Sequence, residues 1–142
     1  MINWTHKEEG TCEGSFESSF FKNDGDNELY IYIESESVED YAEKCVAFIN
    51  NISNPLIDEI CKGIIESIKE DGYYDDIELE NADNVREILD YCWFTAVYVN
   101  KPNNENEITF IVEGEGDWGE VIGFVIKEGR LGYAGVDYFE QL

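Results

Sequence analysis

Cationic side chains are scarce in this sequence of 142 residues. Nine Lys and Arg oppose 33 Asp and Glu, which gives a formal net charge of −24 and a pI near 4.1. Nucleic acid is therefore disfavoured as a direct ligand, because binding it requires a basic surface that displaces counterions from the phosphates. An anionic membrane is disfavoured for the same electrostatic reason. The natural complement of so acidic a chain is a cationic protein surface.

Histidine and closely spaced cysteines are scarce too. His6 is the only histidine and lies in a polar N-terminal stretch, so a nucleophilic Ser/His/Asp or Cys/His system lacks a well-placed base. The cysteines are Cys12, Cys45, Cys61 and Cys92, with no C-x-x-C pair, and no zinc site is expected. Cys45 and Cys61 fall in line with apolar residues on predicted helices. This favours buried free thiols, and hence a reducing cytosol, over the two disulfides of a secreted protein.

Long apolar runs are missing as well. None approaches the ~18–20 residues of a transmembrane helix, and residues 1–9 lack the apolar segment of a signal peptide. Core material is nevertheless ample, because 43% of the residues are hydrophobic and 14% are aromatic. We therefore expect one cytoplasmic domain over residues 1–142 that folds without a metal or a disulfide.

The first half of the chain predicts a hairpin followed by helices. Gly14–Phe21 and Leu29–Ile33 are the expected strands, and in the second of them Tyr30 and Tyr32 share one face. Ser37 is expected to cap a first helix. Asn54 is expected to cap a second one, and Asp83 or Asn84 a short third one.

Four further strands are predicted in the last third of the chain. They are Cys92–Val99, Glu107–Val112, Val121–Ile126 and Leu131–Ala134. The order of elements is ββ-αα(α)-ββββ. The predicted fold class is therefore α+β, an antiparallel sheet with two or three helices packed on one face.

The turn at residues 23–28 carries several oxygen ligands. Such groups suit calcium, but the spacing does not fit the twelve-residue EF-hand loop, and the turn joins two strands rather than two helices. Asp, Asn and Gly are also the ordinary residues of turns, which is the preferred interpretation.

Two acidic segments with aromatic side chains are the candidate partner-binding surfaces. The first contains Tyr73, Tyr74, Asp75, Asp76, Glu78 and Glu80, and the second contains Glu113, Glu115, Asp117, Trp118 and Glu120. The second segment is interpreted as a flexible loop. Its G-x-G-x-x-G spacing is not a dinucleotide-binding motif, because a predicted strand rather than a helix follows it and its carboxylates would repel phosphate. The alternative is that the acids only solvate the surface and that Trp118 anchors the loop on the core. No catalytic residue, metal ligand or cofactor is assigned.

The last third of the chain contains four short glycine-bearing segments, Gly116–Gly119, Gly123-Phe124, Gly129–Leu131 and Tyr133–Gly135. These segments are similar to the closing strands of small acidic immunity proteins from bacterial polymorphic-toxin and contact-dependent inhibition systems. The resemblance implies a protein without enzymatic activity that neutralises a cognate toxin, commonly a nuclease. We expect a monomer that forms a tight 1:1 complex with it. Another acidic regulator, including a DNA mimic that blocks a DNA-binding protein, is the alternative, and a carboxylate-using or metal-dependent enzyme is the least favoured class.

Overall fold

The described residues form one sheet of seven strands, in which the strand order follows the chain. A computed structural model describes residues 1–8, 10–80 and 83–141. The strands are β1 (Asn3–Glu8), β2 (Thr11–Glu17), β3 (Glu28–Ile33), β4 (Cys92–Val99), β5 (Phe110–Gly116), β6 (Val121–Lys127) and β7 (Arg130–Gly135). Every neighbouring pair is antiparallel except β3 and β4, which are parallel.

The helices lie between β3 and β4 in the chain. The two α-helices are α1 (Glu39–Asn50) and α2 (Asn54–Glu70). Short 3₁₀ turns occupy Glu36–Val38, Tyr74–Asp76, Val85–Asp90 and, after the last strand, Tyr138–Gln141. The predicted α+β class is confirmed.

The order of strands differs from the prediction in two respects. β1 is an additional strand, which the polar sequence of Asn3–Glu8 concealed because it lacks a regular apolar alternation. The helical segment forms a crossover from β3 to β4, and a crossover of this length can return the chain parallel to the strand it left. The first predicted strand is also displaced, since β2 ends at Glu17, and the Phe21 N–H donates to Ser18 Oγ at 3.0 Å in the turn that follows.

The helices cover one face of the sheet. Their buried side chains join the inward residues of the strands in one cluster, which includes Leu29, Ile31, Ile60, Ile64, Phe94, Phe110 and Phe124. Gly63 of α2 lies against Ala134 of β7, where a Cβ on Gly63 would come within 2.9 Å of the Ala134 Cβ. The missing side chain thus lets α2 approach the sheet closely, and neither α-helix of the described residues covers the opposite face.

The two α-helices begin differently. Ser53 caps α2, because its Oγ accepts the Leu56 N–H at 3.3 Å and Pro55 lies in the first turn. The predicted cap of the first helix, Ser37, lies within the 3₁₀ turn, and its Oγ is 2.7 Å from Ser35 Oγ. No side chain among the residues that the structure describes caps α1.

Replacing Ser53 with alanine should therefore lower the free energy of unfolding by about 1 kcal/mol, the usual cost of a lost N-cap. Ser37→Ala is the matched control, and its effect should stay below about 0.5 kcal/mol because Ser37 is exposed and caps no α-helix. Urea unfolding of both variants measures the difference. Equal losses would contradict the assignment of Ser53 as the cap.

Candidate functional site

Parts of the two acidic segments predicted from the sequence lie on either side of Tyr91, which joins them. The Asp117 N–H donates to the Tyr91 carbonyl at 2.7 Å, and the Tyr91 hydroxyl donates to the Glu78 carbonyl at 2.6 Å. We call the surface formed by residues 71–80, Tyr91 and residues 117–120 the acidic end. Burial raises the pKa of Tyr91, and the nearby carboxylates, among them Glu87 and Glu78, raise it further.

Carboxylates are crowded at the acidic end. Burial raises the pKa of Glu120 and the charge of Asp71 adds to the rise, while a hydrogen bond from Trp118 opposes it. That bond runs from the Trp118 indole Nε1 to Glu120 Oε1 at 3.1 Å. Because Asp71 and Glu120 repel one another when both are ionised, a cation placed between them would stabilise the folded protein.

The predicted aromatic residues of the acidic end are half-buried rather than exposed. Tyr73, Tyr74 and Trp118 pack against the main core. The Trp118 ring covers Gly116, where a Cβ would lie 2.4 Å from the ring, and the Lys69 ammonium is 4.7 Å from the centre of the Tyr74 ring. These contacts favour an anchoring role for the rings, so the exposed groups that remain are mainly carboxylates such as Asp75.

Glu113 and Glu115 do not lie in a loop. Both belong to β5, and only residues 117–120 form the turn between β5 and β6. The sequence Glu-Gly-Glu-Gly looked flexible, but Gly114 and Gly116 face the covered side of the sheet, where a Cβ on either one would lie within 2.5 Å of a Trp93 or Trp118 atom. The acids between them consequently point to the face without helices.

This second face, which we call the open face, carries most of the sheet's tyrosines. Alternate residues of β3 and β4 place Tyr30, Tyr32 and Tyr98 there, and the C-terminal turn adds Tyr138 and Phe139. Phe139 is 51% exposed and Tyr30 is 43% exposed. The alternation of Tyr30 and Tyr32 in the sequence indicates a strand with tyrosines on one face. The sequence does not show which strands pair with it and which side chains share that face.

Glu113 lies at the centre of the open face and accepts two hydrogen bonds. The Tyr98 hydroxyl donates to Oε1 at 3.4 Å, and the Tyr138 hydroxyl donates to Oε2 at 3.0 Å. Burial raises the pKa of Tyr98 to about 12, with the Glu113 charge adding to it, and the pKa of Tyr138 is raised by the same two causes. Both hydroxyls therefore remain protonated donors at neutral pH.

The rings around Glu113 hold one another in place. Tyr32 and Tyr98 stack with ring centres 5.2 Å apart, and Phe139 meets Tyr98 edge-on at 4.8 Å. Tyr138 lies on Gly123 of β6, where a Cβ would come within 2.6 Å of the ring. The open face is thus a packed aromatic layer built around one carboxylate.

Further carboxylates of β2, β3 and β5 surround this layer. Alternation along the strands places Glu13, Glu17, Glu28 and Glu115 on the same side as Glu113. Glu13 lies opposite Tyr32, Glu17 opposite Glu28, and Glu115 opposite Trp93. The open face is therefore acidic as well as aromatic, and sequence reasoning identified only Glu113 and Glu115 in it.

The turn at residues 23–28 uses its polar groups for its own structure. Asp24 and Gly25 have φ values of 49° and 88°, and the backbones of Asn23 and Asp26 hydrogen-bond to one another. Asp26 Oδ1 accepts the Glu28 N–H at 2.8 Å. This is the geometry of a tight hairpin turn with two left-handed residues. Within residues 1–8, 10–80 and 83–141, no group of three His, Cys, Asp or Glu residues could hold a metal ion.

The four cysteines are buried and free, which confirms the prediction from the helical pattern. Cys45 and Cys61 face the core from α1 and α2. In the part of the chain that the structure describes, no helix has both the length and the apolar character needed to cross a membrane.

The fold and its surfaces define a small α+β protein whose sheet has one face covered by helices and one acidic, aromatic open face. A family model described as a domain of unknown function (DUF6985) matches residues 3–137, so the chain belongs to the DUF6985 family. The match spans every strand of the sheet and ends one residue before the C-terminal turn that carries Tyr138 and Phe139. No curated protein and no solved structure matches the chain.

Proposed function

We propose that this protein is a cytoplasmic immunity protein that binds and neutralises a cognate cationic toxin domain, commonly a nuclease. The observation that carries the proposal is the surplus of carboxylates, a net charge of −24, on a chain whose open face combines carboxylates with exposed aromatic side chains. Such a surplus costs stability in the free protein, and a cationic partner offsets that cost on binding.

A nuclease suits this surface for a chemical reason. Its substrate-binding surface must present cationic groups to phosphates, so an anionic protein can occupy the same groups. Surface charges of opposite sign on the two proteins also raise the rate of their association toward about 10⁸–10⁹ M⁻¹s⁻¹ at low salt. Fast association benefits an immunity protein, because the toxin acts as soon as it enters the cell.

The proposal assigns no catalytic residue, cofactor or metal to the protein. Acid–base catalysis by paired carboxylates requires unequal burial, which separates their pKa values. A cleft of about 280 Å³ includes Asp24, Asp90 and Asp117 in its lining, and all three carboxylates are exposed. This cleft therefore lacks the unequal burial that such catalysis requires.

Co-expression with the polypeptide encoded directly upstream of this chain tests the proposal. We expect that polypeptide to arrest growth of a bacterial host when expressed alone, and co-expression to restore growth. The purified pair should form a 1:1 complex whose affinity falls at least about tenfold between 50 and 200 mM salt.

An unrelated acidic protein of similar size and charge is the control, and it should not restore growth. Growth arrest that this chain fails to relieve would overturn the proposal. Specific capture of a DNA-binding protein that is not toxic would instead favour the DNA-mimic alternative.

A further inference from the structure

We infer that the open face, centred on Glu113, is the docking surface for an arginine- or lysine-bearing segment of a partner protein. The inference rests on the proposed function for the identity of that partner. It differs from the prediction made from the sequence, which placed the contact in the segments of the acidic end as well as at Glu113 and Glu115.

Exposed apolar side chains are concentrated on this face. In the described residues, the large hydrophobic side chains that are exposed, apart from Met1, are Tyr30, Val121 and Phe139. Strand alternation places Tyr30 and Val121 on the open face, and Phe139 lies on Tyr98 of the same face. Single exposed apolar residues are ordinary, but their concentration on one face favours an interaction surface.

The charges of the open face identify the kind of occupant. Carboxylates from β2, β3 and β5 lie among the rings, and Glu17 stands directly opposite Glu28. A second copy of this chain would bring more carboxylates against them, and like charges across an interface cost several kcal/mol. A cationic segment gains from the same groups, so we infer that the occupant is cationic.

Glu113 and its neighbouring rings suit a guanidinium or an ammonium group. An ionised carboxylate has about four acceptor positions, and the hydroxyls of Tyr98 and Tyr138 occupy two of them. The positions that remain can accept hydrogen bonds from a cation. Arginine and lysine are also attracted to the faces of aromatic rings within about 6 Å.

The arrangement is already in place before a partner binds. Tyr32, Tyr98, Phe139 and Tyr138 contact one another in series, with ring centres 4.8–5.2 Å apart. Because neighbouring rings restrict the rotation of these side chains, little conformational entropy remains to be lost on binding. The open face therefore meets two requirements of a recognition surface, which are apolar contact area and a fixed charge.

A hexa-arginine peptide at low salt is the probe for the test. In a ¹⁵N-labelled sample we expect the largest amide shift changes at β3–β5 and at Phe139. Glu113→Gln should weaken binding about tenfold, because it removes the central charge; the amide oxygen still accepts from one tyrosine hydroxyl, and the amide NH₂ can donate to the other. Phe139→Ala should weaken it about fivefold without changing the charge, and this exposed residue can be replaced with little risk to the fold.

Two control variants each lose one negative charge, as Glu113→Gln does. Glu78→Gln removes one charge from the acidic end, and Glu115→Gln removes one from the same strand and face, two residues away. We expect Glu78→Gln to change affinity less than about twofold and Glu115→Gln to have an intermediate effect. Shift changes centred on residues 71–80 and 117–120, or equal losses for Glu113→Gln and Glu78→Gln, would overturn the inference.

The same variants separate this inference from the proposed function. If the chain neutralises its toxin and the Glu113→Gln and Phe139→Ala variants do so equally well, the docking surface is wrong and the function stands. If the peptide maps to the open face but no toxin is neutralised, the surface stands and the proposed function fails.

Discussion

Raising the pH from 9 to about 10.5 is expected to lower the free energy of unfolding by about 5 kcal/mol, with three buried thiols as the main cause. Burial raises the pKa of Cys45, Cys61 and Cys92 from the ordinary value of 9.0 to about 12 in each case. These side chains are 0%, 0% and 7% exposed, so water does not stabilise their thiolates in the folded protein.

The fall of the free energy of unfolding with rising pH follows from the linkage of folding to proton binding. The folded-state pKa of each thiol lies above its unfolded-state value, so the folded state keeps its protons between pH 9 and pH 12 while the unfolded state loses them. The stabilisation is therefore fully present below pH 9 and is lost as the pH rises toward 12. Each thiol contributes about 1.4 kcal/mol per pH unit within that range.

Urea unfolding under a reducing agent at a series of pH values measures this slope. The matched control is the triple variant Cys45→Ala, Cys61→Ala, Cys92→Ala, which should be less stable at pH 8 and should lose most of the slope above pH 9. The remaining slope reports the fourth thiol, Cys12, whose pKa burial also raises, together with the tyrosines and the growing net charge. A triple variant that retained the wild-type slope would show that the thiols are not its cause.

The helical part of the fold could be predicted from the sequence because its apolar residues recur with helical spacing. Cys45 and Cys61 fall within those stripes, and both are buried on the side of the helices that faces the core. The β2–β3 hairpin was also predictable, since Leu29, Ile31 and Ile33 alternate with polar or aromatic residues. In both cases the local pattern and the tertiary packing favour the same structure.

Strand β1 and the end of β5 could not be predicted from the sequence, each for its own reason. Asn3–Glu8 is polar and lies at the edge of the sheet, where only one neighbouring strand is needed. Glu113–Gly116 combines acids with glycines, which usually indicates a loop. In this protein those glycines are required because other atoms, such as the Trp93 carbonyl near Gly114, fill the space that side chains would occupy.

The candidate site was only partly predictable. The sequence indicated which segments are acidic, but their meeting at Tyr91 depends on backbone hydrogen bonds that no local pattern encodes. The open face requires the register of the strands, because Tyr32 reaches Tyr98 only through the parallel pairing of β3 with β4. Composition therefore suggested a kind of partner, and the topology suggests where it docks.

Replacing Phe124 with alanine should lower the free energy of unfolding by about 4 kcal/mol, the cost of removing a fully buried ring. Phe124 is 0% exposed on β6 and faces the helices. Its ring centre is 5.4 Å from that of Phe21 and 5.5 Å from that of Phe94. These three rings lie where the inward faces of the strands meet, so the cavity cannot close without moving two other aromatic side chains.

Two neighbours on the same strand provide controls for Phe124→Ala. Val125 is 1% exposed and packs with Ile111 and Tyr138 on the open face, so Val125→Ala should cost about 2 kcal/mol. Val121 is 50% exposed, and Val121→Ala should cost about 0.5 kcal/mol or less. Urea unfolding of the three variants ranks their losses in the free energy of unfolding. If Val125→Ala cost as little as Val121→Ala, the C-terminal turn would not be packed on the open face, and the layer around Glu113 would lose its support from Tyr138.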